Sequence, residues 1–344
     1  MRIGNRHKVG ITLCLSSVTL LFCIAIGSVY ISIADILYIL GHIIFGVNLP
    51  GHISLSSVAI VWNLRLPRVL LAFCAGSALS VSGAVMQSVL RNPLASSFTL
   101  GVSSGASLGA SLVIFMGVSL PLLSLFTLPL LGFIFGFITI LLVIVIASRL
   151  DERLENHTII LTGMVLSLFI NAITTVMFAL NREGIQRMVF WQMGSFSMRD
   201  WHTVYILVPV AIAGIVFISR RTLELDILSF GEEQAETIGV NSKKVKLSLL
   251  VSSAALTGCT TAFVGVIGFV DLVTPHVIRK LFGSSHKYVI PMSAIAGGAF
   301  MALCDLAARM AIPAIELPVG AVTAIIGAPF FAYIYFRKRD RRSP

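Results

Sequence analysis

Charge is what this sequence has least of. Of its 344 residues only 12% are Asp, Glu, Lys or Arg, roughly half the share of an ordinary soluble domain. Hydrophobic residues make up 57% and the mean hydropathy is +0.96. That balance excludes a water-soluble fold. The apolar runs reach about 20 residues, the length that crosses a bilayer as a helix. They do not alternate with period two, which excludes a transmembrane barrel. No polar stretch is long enough for a soluble domain, so residues 1–344 are expected to form a single all-α membrane domain.

Other absences narrow the chemistry. The five cysteines (Cys14, Cys23, Cys74, Cys259 and Cys304) all lie inside apolar runs without CxxC spacing, which reads as buried thiols. No GxSxG, HExxH or paired metal-ligand spacing occurs, so no catalytic residue, metal site or cofactor is expected. GxxxxGK[ST] is missing too, and this chain cannot hydrolyse a nucleotide by the P-loop route. If ATP drives it, the ATPase is another polypeptide. Acids and histidines within apolar runs are few: Asp271, His276, Asp305 and Glu316. A proton relay needs several such groups near the midplane, which argues against an ion-gradient-driven secondary transporter, the main alternative. A membrane-embedded enzyme is the third reading.

What is present is a series of about ten spans, expected near 9–31, 69–90, 99–118, 121–148, 158–180, 203–219, 247–267, 268–278 (short), 288–308 and 317–336. The first follows Arg2, Arg6 and Lys8 and is too long for a cleaved signal peptide. With the N-terminus inside, 19 of the Lys and Arg residues fall on the cytoplasmic side and six outside. That asymmetry obeys the positive-inside rule and puts both termini in the cytoplasm. It also accounts for the net charge of +10 without nucleic acid. The tail RKRDRR, residues 337–342, is a basic anchor at membrane lipid.

Two connections are longer than a turn. Residues 32–68 contain ISIADILYILGHIIFG, an amphipathic piece expected along the surface. Residues 220–246 contain an acidic helical segment from Gly231 to Ile238, closed by Gly239, suited to docking a soluble partner. Small residues carry the packing. Ala72, Gly76, Ser80, Ala84 and Ser88 recur every fourth residue, and Gly105/Gly109 and Gly132/Gly136 form GxxxG pairs, so backbones can approach closely there. In VMQSVLRNPLASSFTLGVSSGA, Pro93 ends the second span. Ser96, Ser97 and Thr99 are expected to cap the third, leaving a sharp cytoplasmic hairpin. Asp305 and Arg309, four apart on one face, are expected to pair. SALSVSGAVMQ and SAALTGCTTAF form a weak repeat whose copies cross in opposite directions.

Six motifs in order, LRLPRVLLAFCAGSALSVSGAVMQ, RNPLASSFTLGVSSGASLGA, WQMGSFSMRDW, LSFGEEQAETIGV, GFVDLVTPHVIRKLFG and DLAARMAIPAIELPVGAVTAIIGAPFF, resemble the FecCD family of ABC importer permeases. That family takes up iron–siderophores, haem and vitamin B12. The resemblance implies a BtuC-like type II fold of ten transmembrane helices in a bacterial cell membrane. It also implies a second permease sharing one pathway, ABC ATPase subunits below, and a substrate-binding protein above. It assigns ATPase coupling to the segment holding Leu228, Ser229, Gly231, Glu232, Glu233, Ala235 and Gly239. Binding-protein docking falls to Arg65, Arg68 and Arg309, and a ferric siderophore is the expected cargo. Pathway lining is expected from one face of the fifth span: Met164, Leu168, Asn171, Thr175 and Phe178. Two positions depart from the family pattern, Asp271 where glycine is usual and Ser97 where proline is frequent.

Overall fold

A computed structural model of the chain describes residues 4–118, 120, 126–180, 184–312 and 315–340, with the side chains of 334–340 excepted. Arg182, one of the six basic residues expected outside, and the end of the basic tail lie outside these residues. The order is α1 (Asn5–Ala25), α2 (Ile33–Phe45), α3 (Leu55–Ala59), a π-helical stretch (Ile60–Arg65), α4 (Leu66–Val89), α5 (Val102–Met116), α6 (Thr127–Leu150), α7 (Asn156–Leu180) and α8 (Ile185–Gln192). It continues with α9 (Trp201–Ser219), α10 (Thr222–Phe230), α11 (Glu232–Thr237), α12 (Ser242–Val264), α13 (Val270–Phe282), α14 (His286–Met310) and α15 (Val319–Asp340). Each of the ten expected spans corresponds to one of α1, α4–α7, α9 and α12–α15. Among the described residues, seven helical stretches are long and apolar enough to cross a bilayer, and α5 and the apolar part of α15 are shorter.

Burial runs against hydropathy. The most apolar window, on α6, has mean hydropathy 3.0 and is one-third buried, whereas that of the helix ending in α4 has 2.0 and is 89% buried. In lipid there is no hydrophobic force pushing large apolar side chains inward, so small residues that let backbones meet take the centre. α4 is that centre, with α9, α12, α13 and α14 around it. A Cβ on Gly76 would overlap the Gly297 carbonyl of α14, and one on Gly83 the backbone of Asp271 on α13. The Ala72–Ser88 stripe is the seam with α14, as its spacing predicts. The GxxxG pairs bring α5 onto α6: Gly105 and Gly109 face Phe135 and Leu131, and Gly136 faces Val102. α4 and α12, which carry the two repeat segments, touch through the Ser82 hydroxyl, donated to the Ser253 carbonyl at 3.1 Å.

The connections sort into two opposite faces, called here the α11 face and the α2 face. On the α2 face the helix entering α4 widens into a π turn, in which Leu66 N–H bonds Val61 O rather than Trp62 O. Pro67, one residue on, has no N–H to offer. The freed Trp62 carbonyl instead accepts the indole N–H of Trp201 at 2.9 Å, and the two rings lie 4.8 Å apart.

The stretch after α4 is not a sharp hairpin. Residues 90–101 fold back into the body, with Ala95, Ser96, Ser97 and Leu100 buried. Gly101, at φ +83°, precedes α5 without any side-chain cap. Ser96 and Thr99 bond each other, and Ser97 meets the Thr257 hydroxyl at 2.8 Å. A buried loop must satisfy its own polar groups, and these hydroxyls go to that task.

Candidate coupling and docking sites

α11 is short, and its place is fixed from beneath. Gly231 enters it at φ +134° and Gly239 leaves it at φ +83°, backbone shapes that favour glycine. Ala235 is buried, while Glu233 and Gly239 face outward. Glu232 turns inward to the Nζ of Lys246, at 2.7 Å. Lys246 is 1% exposed and also donates to Leu154 O at 2.5 Å. Ser242 donates to Glu236 at 2.6 Å, and Lys243 to Glu152 O at 3.2 Å. The loop that receives these lysines is itself braced: Asp151 accepts the backbone N–H of Glu155 and of Arg153, which holds its carboxyl below the usual range.

Of the seven expected coupling residues, Ser229, Glu233 and Gly239 therefore lie at the surface. Leu228, Gly231 and Ala235 point inward, and Glu232 is half-buried. Beside them opens a depression of about 1160 Å³ whose rim includes Arg91, Glu152, Arg153, His157, Glu233 and Lys243. Rigid backbone with mixed exposed charge around a concavity suits a protein partner better than a small molecule.

A second tie joins α10 to the membrane body. Asp226 Oδ1 accepts both the backbone N–H of His286 at 2.8 Å and its ring Nδ1–H at 2.6 Å. On the far side of the ring, Nε2 meets Ser88 Oγ at 2.6 Å. Motif reading missed Asp226, His286 and Lys246. Only Lys246 had a usable signal: it precedes Leu249 and Leu250 by three and four residues, which puts it on the buried face of α12, whereas Lys243 and Lys244 are exposed.

The three arginines expected for docking gather on the α2 face but turn inward. Arg65, 6% exposed, donates to Ile24 O and Ala25 O, each at 2.9 Å, and to Val29 O. It thereby caps the C-terminal end of α1, whose last carbonyls have no helical partner. Arg68 forks onto Asp305 at 2.9–3.0 Å and reaches Glu316 at 2.9 Å. Arg309 donates to Cys23 O and stands 3.9 Å from Asp305. The expected Asp305–Arg309 pair is thus the minor partnership, and Arg68 holds Asp305. Burial would raise the Glu316 carboxyl, but the hydrogen bond and charge of Arg68 outweigh it and hold Glu316 below its usual range.

On α7, Met164, Leu168, Asn171 and Thr175 are exposed and Phe178 is half-exposed, so the chain leaves this face uncovered. Asp271 is 3% exposed at the start of α13 with its Oδ1 unbonded. Among the described residues no group of three His, Cys, Asp or Glu could hold a metal ion.

This arrangement of small-residue helices, a braced surface helix and an uncovered span has close relatives. A solved structure described as an inward-facing conformation of a metal-chelate-type ABC transporter matches with a TM-score of 0.84 at 30% identity, covering 96% of this chain and 99% of that one. The uncharacterised ABC transporter permease YvrB of Bacillus subtilis is 38% identical over 94% of this chain and 91% of its own length. The hemin transport permease HmuU of Yersinia pestis is 36% identical over 82% and 85%. The FecCD transport family matches residues 15–337. In such importers the permease is not an enzyme, a partner ATPase hydrolyses ATP, and a binding protein supplies the substrate. With that match across the body of the chain, this multi-pass membrane protein belongs to the FecCD transport family, as a permease subunit of a type II ABC importer.

Proposed function

We propose that the protein forms, with a second permease, the inner-membrane pathway for a metal chelate, a ferric siderophore before haem or cobalamin. The observation that carries this reading is the uncovered face of α7. Met164, Leu168, Asn171, Thr175 and Phe178 offer apolar, thioether, amide and hydroxyl groups without charge. A wall of that kind lets a large chelate pass without trapping it, since chelation already shields the metal's charge. The same face, too broad and apolar to stand alone, meets its counterpart on the second permease.

The α11 face is the cytoplasmic one, with both termini on its side, as the distribution of Lys and Arg favours. The ATPase docks in the depression beside α11 and contacts Ser229, Glu233 and Gly239, while Leu228, Gly231, Glu232 and Ala235 hold the segment's shape. On the α2 face the binding protein docks around Arg68 and Glu316, and Arg65 and Arg309 support that frame from beneath. ATP binding draws the coupling segments together, the helices rock, and the pathway opens to each side in turn with no chemistry on the cargo.

The test is purification of the tagged chain from native membranes in mild detergent, with mass spectrometry of what accompanies it. The expected result is a stoichiometric P-loop ATPase and a second permease chain. Uptake of ⁵⁵Fe-labelled siderophores by reconstituted vesicles, with haem and cyanocobalamin as competitors, then ranks the cargo. Stronger uptake of haem or cobalamin than of any siderophore would reject the siderophore assignment.

A further inference from the structure

The tie at Asp226 continues well beyond His286. Four helices, α4, α10 and the consecutive α13 and α14, meet there, and their polar groups form one directed line of donors. Arg279 on α13 donates through Nη2 to Ala84 O and to Ser88 Oγ, each at 3.0 Å. Ser88 Oγ stands 2.8 Å from Ala84 O and 2.6 Å from His286 Nε2, and in the neutral tautomer that gives Nδ1–H to Asp226 the bare Nε2 takes the Ser88 proton. His286 then donates Nδ1–H and backbone N–H to the same oxygen of Asp226, and Ser285 Oγ lies 3.3 Å from its other oxygen. The line begins on a guanidinium and ends on a carboxylate, so each link is polarised in the same sense.

At the Arg279 end the line goes on. Nη1 donates to Gln87 Oε1, and Gln87 Nε2 donates to Asp271 O at 3.1 Å. Asp271 sits in the first turn of α13, about 12 Å along that helix from Arg279 at 1.5 Å per residue. The residue before that helix, Phe269, packs against Gly327 of α15, where a Cβ would come within 2.9 Å of its ring carbon.

Ser88 and His286 are 8% and 2% exposed, which leaves a substrate little surface from which to reach the serine. A Ser–His–Asp line closed to substrate is not a nucleophile. What the line does have is one end on α10, the helix joined to α11 by Gly231 alone, and the other end in the membrane interior. We propose that Asp226, His286, Ser88 and Arg279 are positioning residues that carry movement of the ATPase-docking segment to α13 and α15. The proposal rests on the coupling role proposed above for α11. Short hydrogen bonds between rigid helices hold or break and do not stretch, so a displacement of α10 either drags α14, α4 and α13 with it or snaps the line.

A purified complex of the permease with its ATPase, in lipid nanodiscs, tests this with spin labels at two exposed positions of one chain outside the α7 face, Val145→Cys on α6 and Ile325→Cys on α15. In the complex without further substitutions, ATP is expected to shift the distance between the labels. Asp226→Ala, His286→Ala and Ser88→Ala should each reduce that shift by at least half, with ATP hydrolysis per complex kept within about twofold. Asp226→Asn keeps an acceptor at the Oδ1 position and should retain the shift. Asp226→Ala with His286→Ala should be no worse than either alone, because one line is cut once.

Ser88→Ala removes only a hydroxyl and guards against variants that fail to fold. A full ATP-dependent shift in Ser88→Ala and Asp226→Ala would overturn the proposal, and so would additive losses in the double variant. If Asp226→Asn proves as defective as Asp226→Ala, the line acts by charge alone and the relay is rejected. Absence of ATP hydrolysis and of any shift in the unaltered complex would instead reject the importer reading beneath it.

Discussion

The two faces of this permease use charge in opposite ways. On the α2 face Arg65, Arg68 and Arg309 are spent within the chain, on the end of α1 and on Asp305 and Glu316. On the α11 face one lysine, Lys246, is buried in the same manner, while Arg91, Arg153, Glu233 and Lys243 remain around an open depression. The difference teaches that position relative to the membrane does not settle what an arginine is for. In the orientation that the Lys and Arg distribution leads one to expect, six basic residues would lie where the positive-inside rule disfavours them. A docking role is one reason for them to be there, and the structure supplies another for three: helix ends and acids that need a cation. A face whose charges are satisfied internally is braced, and one that leaves charges around a concavity keeps them available.

The sharpest way to break the comparison is to reverse a braced arginine. Arg65→Glu would set a buried carboxylate against three carbonyl groups, so little folded protein is expected, as read by detergent-solubilised yield and size-exclusion profile. Normal yield would mean that the α1 cap is dispensable. Lys246→Ala comes next. It strands Leu154 O and Glu232, and breaking a buried pair should lower stability by about 2–4 kcal/mol, toward the lower end because Glu232 is partly exposed. Thermal unfolding in detergent measures it. Glu232→Gln, which keeps an acceptor for the lysine, should cost less than half as much.

A smaller effect separates the two faces in function. Glu233→Lys, at the surface beside the depression, should leave unfolding unchanged and reduce recovery of the ATPase by several-fold in pull-down. Equal recovery would remove Glu233 from the docking surface. The smallest effect concerns pH. Because Glu316 is held below its ordinary range in the folded protein, the unfolded chain binds its proton first on acidification. Its contribution is complete above the usual carboxylate range, near pH 5, and is lost as pH falls through the depressed value. With its side chain 45% exposed, the loss should be under about 1 kcal/mol. Glu316→Gln should abolish that part of the acid destabilisation and leave the rest.

Legibility followed the range of the interaction. The stripe Ala72, Gly76, Ser80, Ala84, Ser88 named its seam because spacing of four on a helix is local geometry. The expected capping role of Ser96, Ser97 and Thr99 failed for the opposite reason. A serine after a proline looks like a cap, and nothing nearby in sequence announces that Thr257 is its neighbour. Lys246 lay between: its phase on α12 was readable, but Leu154 and Glu232 as its partners were not. His286 carried no signal in the sequence, and only Asp226, 60 residues away, gives it a task.

Composition and periodicity by themselves determined that the chain crosses a membrane as about ten helices, which of their faces are narrow, and which connections lie together. Those are consequences of solvent: lipid admits no unpaired backbone and no scattered charge. The tertiary structure decided which charge meets which. Arg68 chose Asp305 on α14 and Glu316 in the connection after it, 237 and 248 residues away, and Arg65 chose carbonyl groups 36 to 41 residues away. A guanidinium satisfies itself with whatever acceptors packing brings within about 3 Å, and packing is a property of the whole fold.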